Sequence, residues 1–238
     1  MTVKSETISL FLASRIEAGD FPSAVYLVAD NGQPVFADAL GHAVCEPELH
    51  AATHETIYDL ASLTKPFITA LLCALMVERK ALDMEKPVGH YLEEFKNADK
   101  KEITVRQLLT HSSGLKAWLP LKIITDCDCK RTLKVIADSE LEAAAAQRVI
   151  YSDLGFIVLG KLIEQIADAK LDGVAAKNIF EPLNLQNTFF NPQHKLRPQI
   201  AASEKGNFYE REMATTLTDI AEIDRATWRK DVIWGDVH

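Results

Sequence analysis

The sequence predicts an α+β protein in which helices are segregated from a small antiparallel sheet. Two observations carry this expectation. Near the N-terminus two β-rich runs, 24–29 and 34–40, flank Asp30-Asn31-Gly32-Gln33, and Asn-Gly accepts the positive φ angles of a tight hairpin turn. Further along, the apolar segments 67–77 and 154–167 read as buried helices. With 238 residues, 47% hydrophobic and 25% charged, the chain has a globular balance and enough length to bury a sizeable core.

Composition excludes several function classes. The net charge is −8 with both signs interspersed, which argues against a nucleic-acid groove. The longest apolar run is broken by Thr69 and ends at Glu78, so no membrane span is expected. The N-terminus carries Glu6 and an amphipathic pattern in place of a basic start with an apolar core; no secretory signal is legible, and a cytoplasmic location is expected. Of the four cysteines, Cys73 falls in the apolar helix as a small core residue, and Cys45 stands alone. Cys127-Asp128-Cys129 lacks a second ligand pair, and His50 and His54 have no completing carboxylate or cysteine. No metal and no cofactor are expected.

Taken in order, residues 7–18 place Ile8, Leu12 and Ile16 at helical spacing. The hairpin follows; Pro34 suits a strand start, and Gly41-His42 closes the second strand. A loop over 45–57 leads into the central apolar helix, which should sit inside the protein because apolar side chains fill nearly every side. Pro87 punctuates a break after Leu82, and a short element follows around 90–95. Ile103 to Leu109 is expected to form a helix with Thr104 or a neighbour as N-cap, ended by Gly114. Residues 116–140 are mixed. A second helix spans 154–167 with Phe156, Leu159, Leu162, Ile163 and Ile166 at helical spacing, another segment runs over 171–180, and 218–228 is weakly helical. There is no internal repeat or low-complexity linker.

The chemistry concentrates at Tyr58 to Lys65. Ser62 and Lys65 are three residues apart, so they share a helix face. A serine in the first turn feels the positive end of the helix dipole and has free N–H groups beside it. A desolvated lysine one turn along can serve as a base. Nucleophile, base and amide donors are what acyl transfer needs. The alternative is that Ser62 caps the helix and Lys65 reaches to solvent.

Three further segments give this pair context. Ala61-Ser62-Leu63-Thr64-Lys65-Pro66, the stretch from Ile103 through Thr110-His111-Ser112-Ser113-Gly114-Leu115, and Tyr151-Ser152-Asp153 occur in that order, followed by Ile179-Phe180-Glu181-Pro182-Leu183. In this the sequence resembles the serine β-lactamase and penicillin-binding-protein superfamily, on its class C and esterase-like branch, from about residue 20 to the end. The resemblance implies Ser62 as the acyl-enzyme nucleophile, with its backbone N–H as an oxyanion donor. Lys65 and Tyr151 are implied as the proton-transfer groups. A tyrosine, with a pKa near 10, works as a base at neutral pH only if a cation stabilises its anion, and Lys65 is that cation.

Three departures qualify what the resemblance implies. Asp153 stands where the family's commonest residue is asparagine; an aspartate only accepts hydrogen bonds, so it would pair with Lys65, favour Tyr151 as base and make an ester more plausible than a lactam or peptide amide. Asp153 could equally cap the helix that follows. The run Ala143 to Gln147 replaces a Pro-Gly turn and favours helix. Nothing after Asp153 matches the Lys-Thr-Gly or His-x-Gly motif, whose strand supplies a second oxyanion donor and neighbours for the N-terminal hairpin; removing one donor typically costs about 10²–10³ in rate.

The resemblance thus implies a β-lactamase/transpeptidase-like fold. We expect a single domain over 1–238, incomplete at its C-terminus, with a helical lobe over about 80–190 and a partial antiparallel sheet whose C-terminal strands are missing. The expected activity is that of a serine acyl hydrolase on a small ester, lactam or peptide. The competing expectation is a catalytically incompetent fragment or interaction module of the same fold, whose unpaired sheet edge invites self-association.

Overall fold

The structure, a computed structural model, describes residues 5–96, 99–125, 128–205 and 232–233. These residues fall into two compact units, one comprising 5–60, 191–205 and 232–233 and the other 61–190. The expected helix over 218–228, Cys127 and the last five residues lie outside the described residues.

The first unit opens with α1 (Glu6–Glu17), capped by the Ser5 hydroxyl, which accepts the Ile8 N–H. Ile8, Leu12 and Ile16 form its half-buried side. A polar anchor adds to that stripe: the buried Ser9 hydroxyl donates to Asp38 Oδ2 at 2.6 Å and lies 3.0 Å from the Tyr26 hydroxyl.

Strands β1 (Ser23–Asp30) and β2 (Gln33–Val44) pair antiparallel with Asp30 opposite Gln33. Asn31 and Gly32 take φ angles of 48° and 76°, as a primed two-residue turn requires. The register shifts after Val28, where Phe36 is the partner of Val28 but Pro34 that of Ala29. Pro34 therefore sits beside a bulge, where a missing N–H costs the ladder little. Contrary to the sequence reading, Gly41-His42 does not end the strand. Gly41 has φ 76°, and a Cβ there would lie 2.2 Å from the Pro22 carbonyl oxygen, so glycine lets β2 pass close to Pro22 and continue to Val44. It then pairs with β3 (His50–Ala51), inside the stretch read as loop, giving sheet order β1-β2-β3. Ala43, Val44, Ala52 and Ala201 make a small core behind it. Outside that sheet, β4 (Glu204–Lys205) pairs with β5 (Val232–Ile233).

The second unit is helical. It begins with an 18-residue helical stretch, Ala61–Glu78, that ends in α2 (Leu71–Glu78). Ile68, Leu72, Cys73 and Met76 are buried, and burial pushes the Cys73 thiol up to about 12, leaving it inert. The expectation that this helix is enclosed on all sides fails on its other face, where Leu63, Phe67 and Leu71, each four residues apart, are exposed by 51%, 57% and 38%. The stretch also begins earlier than the apolar run suggests, and by length and composition alone it could cross a membrane; within this unit its buried face packs into the core.

Short 3₁₀ turns at Val88–His90 and Glu93–Phe95 bury Val88 and Phe95. Helix α3 (Val105–Leu109) is capped by Thr104, whose side chain accepts the Gln107 N–H while Gln107 bonds back. Helices α4 (Leu121–Thr125) and α5 (Cys129–Asp138) occupy the mixed region, with Asp128 capping α5. Helix α6 (Asp153–Ala167) runs through the core and buries Leu154, Val158, Leu159, Leu162 and Ile163 completely. Helix α7 (Leu171–Ala175) continues as a π-helical turn to Phe180. With an antiparallel sheet in the first unit and helices in the second, the fold class is α+β.

Candidate active site

The site is built where the first helical stretch of the second unit meets the N-terminus of α6. Ala61 opens the stretch with φ 44°, a left-handed backbone that a non-glycine residue adopts at a cost of about 1–3 kcal/mol and that clusters at functional turns. Ser62 follows in a single 3₁₀ turn, exposed to solvent. The next segment, Lys65–Ala70, is π-helical, a local distortion frequent at functional sites, and Pro66 occupies its first turn, where a missing N–H is tolerated.

Lys65 Nζ donates to Ser62 Oγ at 2.9 Å and forms an ion pair with Asp153 Oδ1 at 2.6 Å. Oδ1 is shielded from solvent, so Lys65 is the charge that compensates it. The Tyr151 ring centroid lies 4.8 Å from the same Nζ, and Phe156 lies beyond it at 5.9 Å. Burial pulls Lys65 downward, but hydrogen bonds and charge from Asp153 and Tyr151 outweigh it and hold the ammonium above the ordinary lysine value. Lys65 is therefore a fixed cation at neutral pH. It is the hub that Ser62, Tyr151 and Asp153 share.

The second wall comes from residues 150–153. Ser152, not Asp153, caps α6: its Oγ accepts the Gly155 N–H at 3.2 Å and donates to the Lys116 carbonyl at 2.7 Å. Asp153 is the first helical residue, its N–H taken by the Ala117 carbonyl at 2.8 Å, which frees its carboxylate for Lys65. A carboxylate in the first turn is also favoured by the helix dipole. Tyr151 is 53% exposed.

The run Ala143 to Gln147 forms no helix, against its composition. Tertiary hydrogen bonds hold it: the Ala146 N–H bonds the Ser112 carbonyl at 2.7 Å and, just before the run, the Glu142 N–H bonds the Gly114 carbonyl at 2.8 Å. Ala146 adopts φ 64° to make the turn. Gly114 correspondingly does not cap α3, which stops at Leu109 with His111 in the left-handed region at φ 56°. A Cβ on Gly114 would sit 2.0 Å from the Ala143 carbonyl oxygen, so the glycine is required by close backbone approach.

The four residues named from the sequence come together, with Ser62, Tyr151 and Asp153 converging on the Lys65 ammonium. Sequence reasoning gave no role to His111. Its Nδ1 accepts the Ser152 N–H at 2.9 Å, its carbonyl accepts the Ile150 N–H at 2.8 Å, and its ring lies 4.5 Å from Tyr151 and 5.0 Å from Phe156. Burial first, then the Lys65 charge, hold its imidazole below the ordinary value against the opposite pull of Asp153. Its position in the stretch between the two site motifs was the available signal. Among the described residues no three His, Cys, Asp or Glu side chains are placed to hold a metal ion. A polarised hydroxyl, a fixed cation, a phenol and the amides of a helix start can together carry nucleophilic acyl transfer.

Known proteins similar to the chain identify its family. A Salmonella agona (strain SL483) protein named a putative D-alanyl-D-alanine carboxypeptidase is 31% identical over 96% of this chain and 55% of its own length. The chain thus spans about half the length of the curated relatives it matches. Among solved structures, EstCE1, a hydrolase with promiscuous acyltransferase activity, is 26% identical with TM-score 0.72 over 82% of this chain and 55% of its own. A class C beta lactamase from Rhodobacter sphaeroides is 25% identical with TM-score 0.72 over 83% of this chain and 54% of its own. The family model described as Beta-lactamase matches residues 10–222, and with that match over most of its length the chain belongs to the beta-lactamase family, within the serine β-lactamase and penicillin-binding-protein superfamily.

Proposed function

We propose that the chain is a serine acyl hydrolase in which Ser62 forms an acyl-enzyme. One observation carries the reading: Lys65 Nζ is bound at once to Ser62 Oγ (2.9 Å) and Asp153 (2.6 Å), beside the Tyr151 ring. Because Asp153 keeps Lys65 protonated, the ammonium is a poor base and a good stabiliser of a phenolate. Tyr151 then takes the Ser62 proton as Oγ attacks the substrate carbonyl, and returns it to the leaving group. The Ser62 backbone N–H, in the first turn of its helix, donates to the developing oxyanion. Asp153 in place of an amide side chain removes a donor to a substrate amide carbonyl, so small esters are the preferred class, ahead of lactams and D-amino-acid peptides.

A fluorophosphonate probe and a fluorescent penicillin test this directly. Labelling of the chain that disappears in Ser62→Ala supports the reading. A folded chain that neither probe labels refutes it. That outcome would favour a second reading, a module of the same fold that is inactive until further strands complete it; the exposed apolar stripe Leu63, Phe67 and Leu71 beside the nucleophile is the observation that speaks for it.

A further inference from the structure

We propose that His111 is a positioning residue that holds the Tyr151 segment against Lys65 by accepting the Ser152 N–H, and that protonating its imidazole releases that segment. The inference rests on the hydrolase reading and extends it to a residue outside the reacting set.

Both sides of Tyr151 are tied to His111, Ile150 N–H to its carbonyl at 2.8 Å and Ser152 N–H to its Nδ1 at 2.9 Å. Between those two bonds the imidazole packs on the Tyr151 ring, with centroids 4.5 Å apart, and on Phe156 of α6 at 5.0 Å. Tyr151 is otherwise exposed and stands in a non-helical segment. Its ring position over Lys65 therefore depends on this clamp. The residue that makes both contacts has a left-handed backbone, φ 56°.

An imidazole accepts at Nδ1 only while that nitrogen is unprotonated. The imidazolium would point an N–H at the Ser152 N–H, two donors facing each other. The titratable groups that face the ring are Lys65 from the first helical stretch, Asp153 from α6 and Tyr151 from the clamped segment. Burial opposes protonation most, the Lys65 cation adds to it and Asp153 favours it, so the clamp is closed at neutral pH and opens below the ordinary histidine range.

Two measurements on the whole chain decide the matter. In a pH titration followed by ¹H–¹⁵N NMR, the Ser152 amide should shift in step with the His111 ring, with an apparent pKa below about 6.5. The rate of Ser62 labelling by a fluorophosphonate should fall over the same interval. His111→Phe keeps an aromatic ring without the acceptor and should lower the labelling rate at every pH by about tenfold to a hundredfold, the scale of a small misplacement. His111→Asn restores a side-chain acceptor and tolerates the left-handed backbone; it should recover most of the rate at pH 7.5 and lack the acid limb. A Ser152 amide that ignores the His111 titration, a His111→Phe variant that labels at the wild-type rate, or an acid limb that survives in His111→Asn overturns the proposal. If the folded wild-type chain is not labelled at any pH, the hydrolase reading fails, and the NMR titration alone still accepts or rejects the clamp.

Discussion

Replacing Asp153 by asparagine isolates the electrostatics of the site with little change in shape. The wild-type pair is close, 2.6 Å, and unequally screened: the Lys65 side chain is 15% exposed and that of Asp153 41%. Exposed pairs contribute about 0.2–1 kcal/mol, and removing one partner of a buried pair costs about 3–5 kcal/mol. With one partner shielded and the other substantially wet, about 2 kcal/mol is the expected loss. For a chain of this size that corresponds to a fall in Tm of about 4–8 °C. The sign with pH follows from Lys65, whose folded value lies above the ordinary one. Its contribution is complete below the unfolded lysine value of about 10.4 and disappears as pH rises through the folded value. The deficit of Asp153→Asn should therefore be constant from pH 7 to about 9 and narrow above about 10.4. Thermal melts of both proteins across that range, followed by circular dichroism, give the curve. With Asp153 neutral, burial of Lys65 is less opposed, so the alkaline limb of Ser62 labelling should move to lower pH. An unchanged Tm, or an alkaline limb that stays in place, would refute the assignment of Asp153 as the group that fixes the Lys65 charge.

Three further outcomes follow from the same geometry. Lys65→Ala should abolish Ser62 labelling by the fluorophosphonate probe while the far-ultraviolet dichroism is retained; labelling at the wild-type rate would show that the proton-transfer chain runs elsewhere. Gly114→Ala sets a Cβ 2.0 Å from the Ala143 carbonyl oxygen at φ 78°, and should cost about 1–3 kcal/mol in urea unfolding; since the displaced backbone leads to Tyr151, slower labelling should accompany it. Leu162→Ala, at a completely buried position of α6, should cost about 2–5 kcal/mol in urea unfolding, and labelling at 25 °C should persist wherever the variant remains folded.

Local chemistry determined a good deal of this protein. Asn31-Gly32 dictated the hairpin because few sequences take two positive φ angles in succession. The spacing of Leu159, Leu162 and Ile163 gave α6, and Thr104 marked the start of α3, because a periodic apolar face and an N-cap are short-range facts. Ser62 and Lys65 were readable as a pair for the same reason: residues three apart on one helix are neighbours whatever the rest of the chain does.

What tertiary structure decided lies where contacts cross the sequence. The alanine run 143–147 has helical propensity, yet the Ala146 amide bonds Ser112 and that of the preceding Glu142 bonds Gly114, and long-range hydrogen bonds prevail over a preference of tenths of a kcal/mol per residue. Gly114 reads as a helix cap until the Ala143 carbonyl is seen against it, and Gly41 as a strand end until Pro22 is. Which faces of the Ser62 helix are covered could not be read from an all-round apolar run; packing buries Ile68, Leu72 and Met76 and leaves Phe67 open. Above all, His111 is 41 residues from the Ser152 amide it accepts. Only folding sets that imidazole against Tyr151, because no local periodicity encodes a hydrogen bond between two loops.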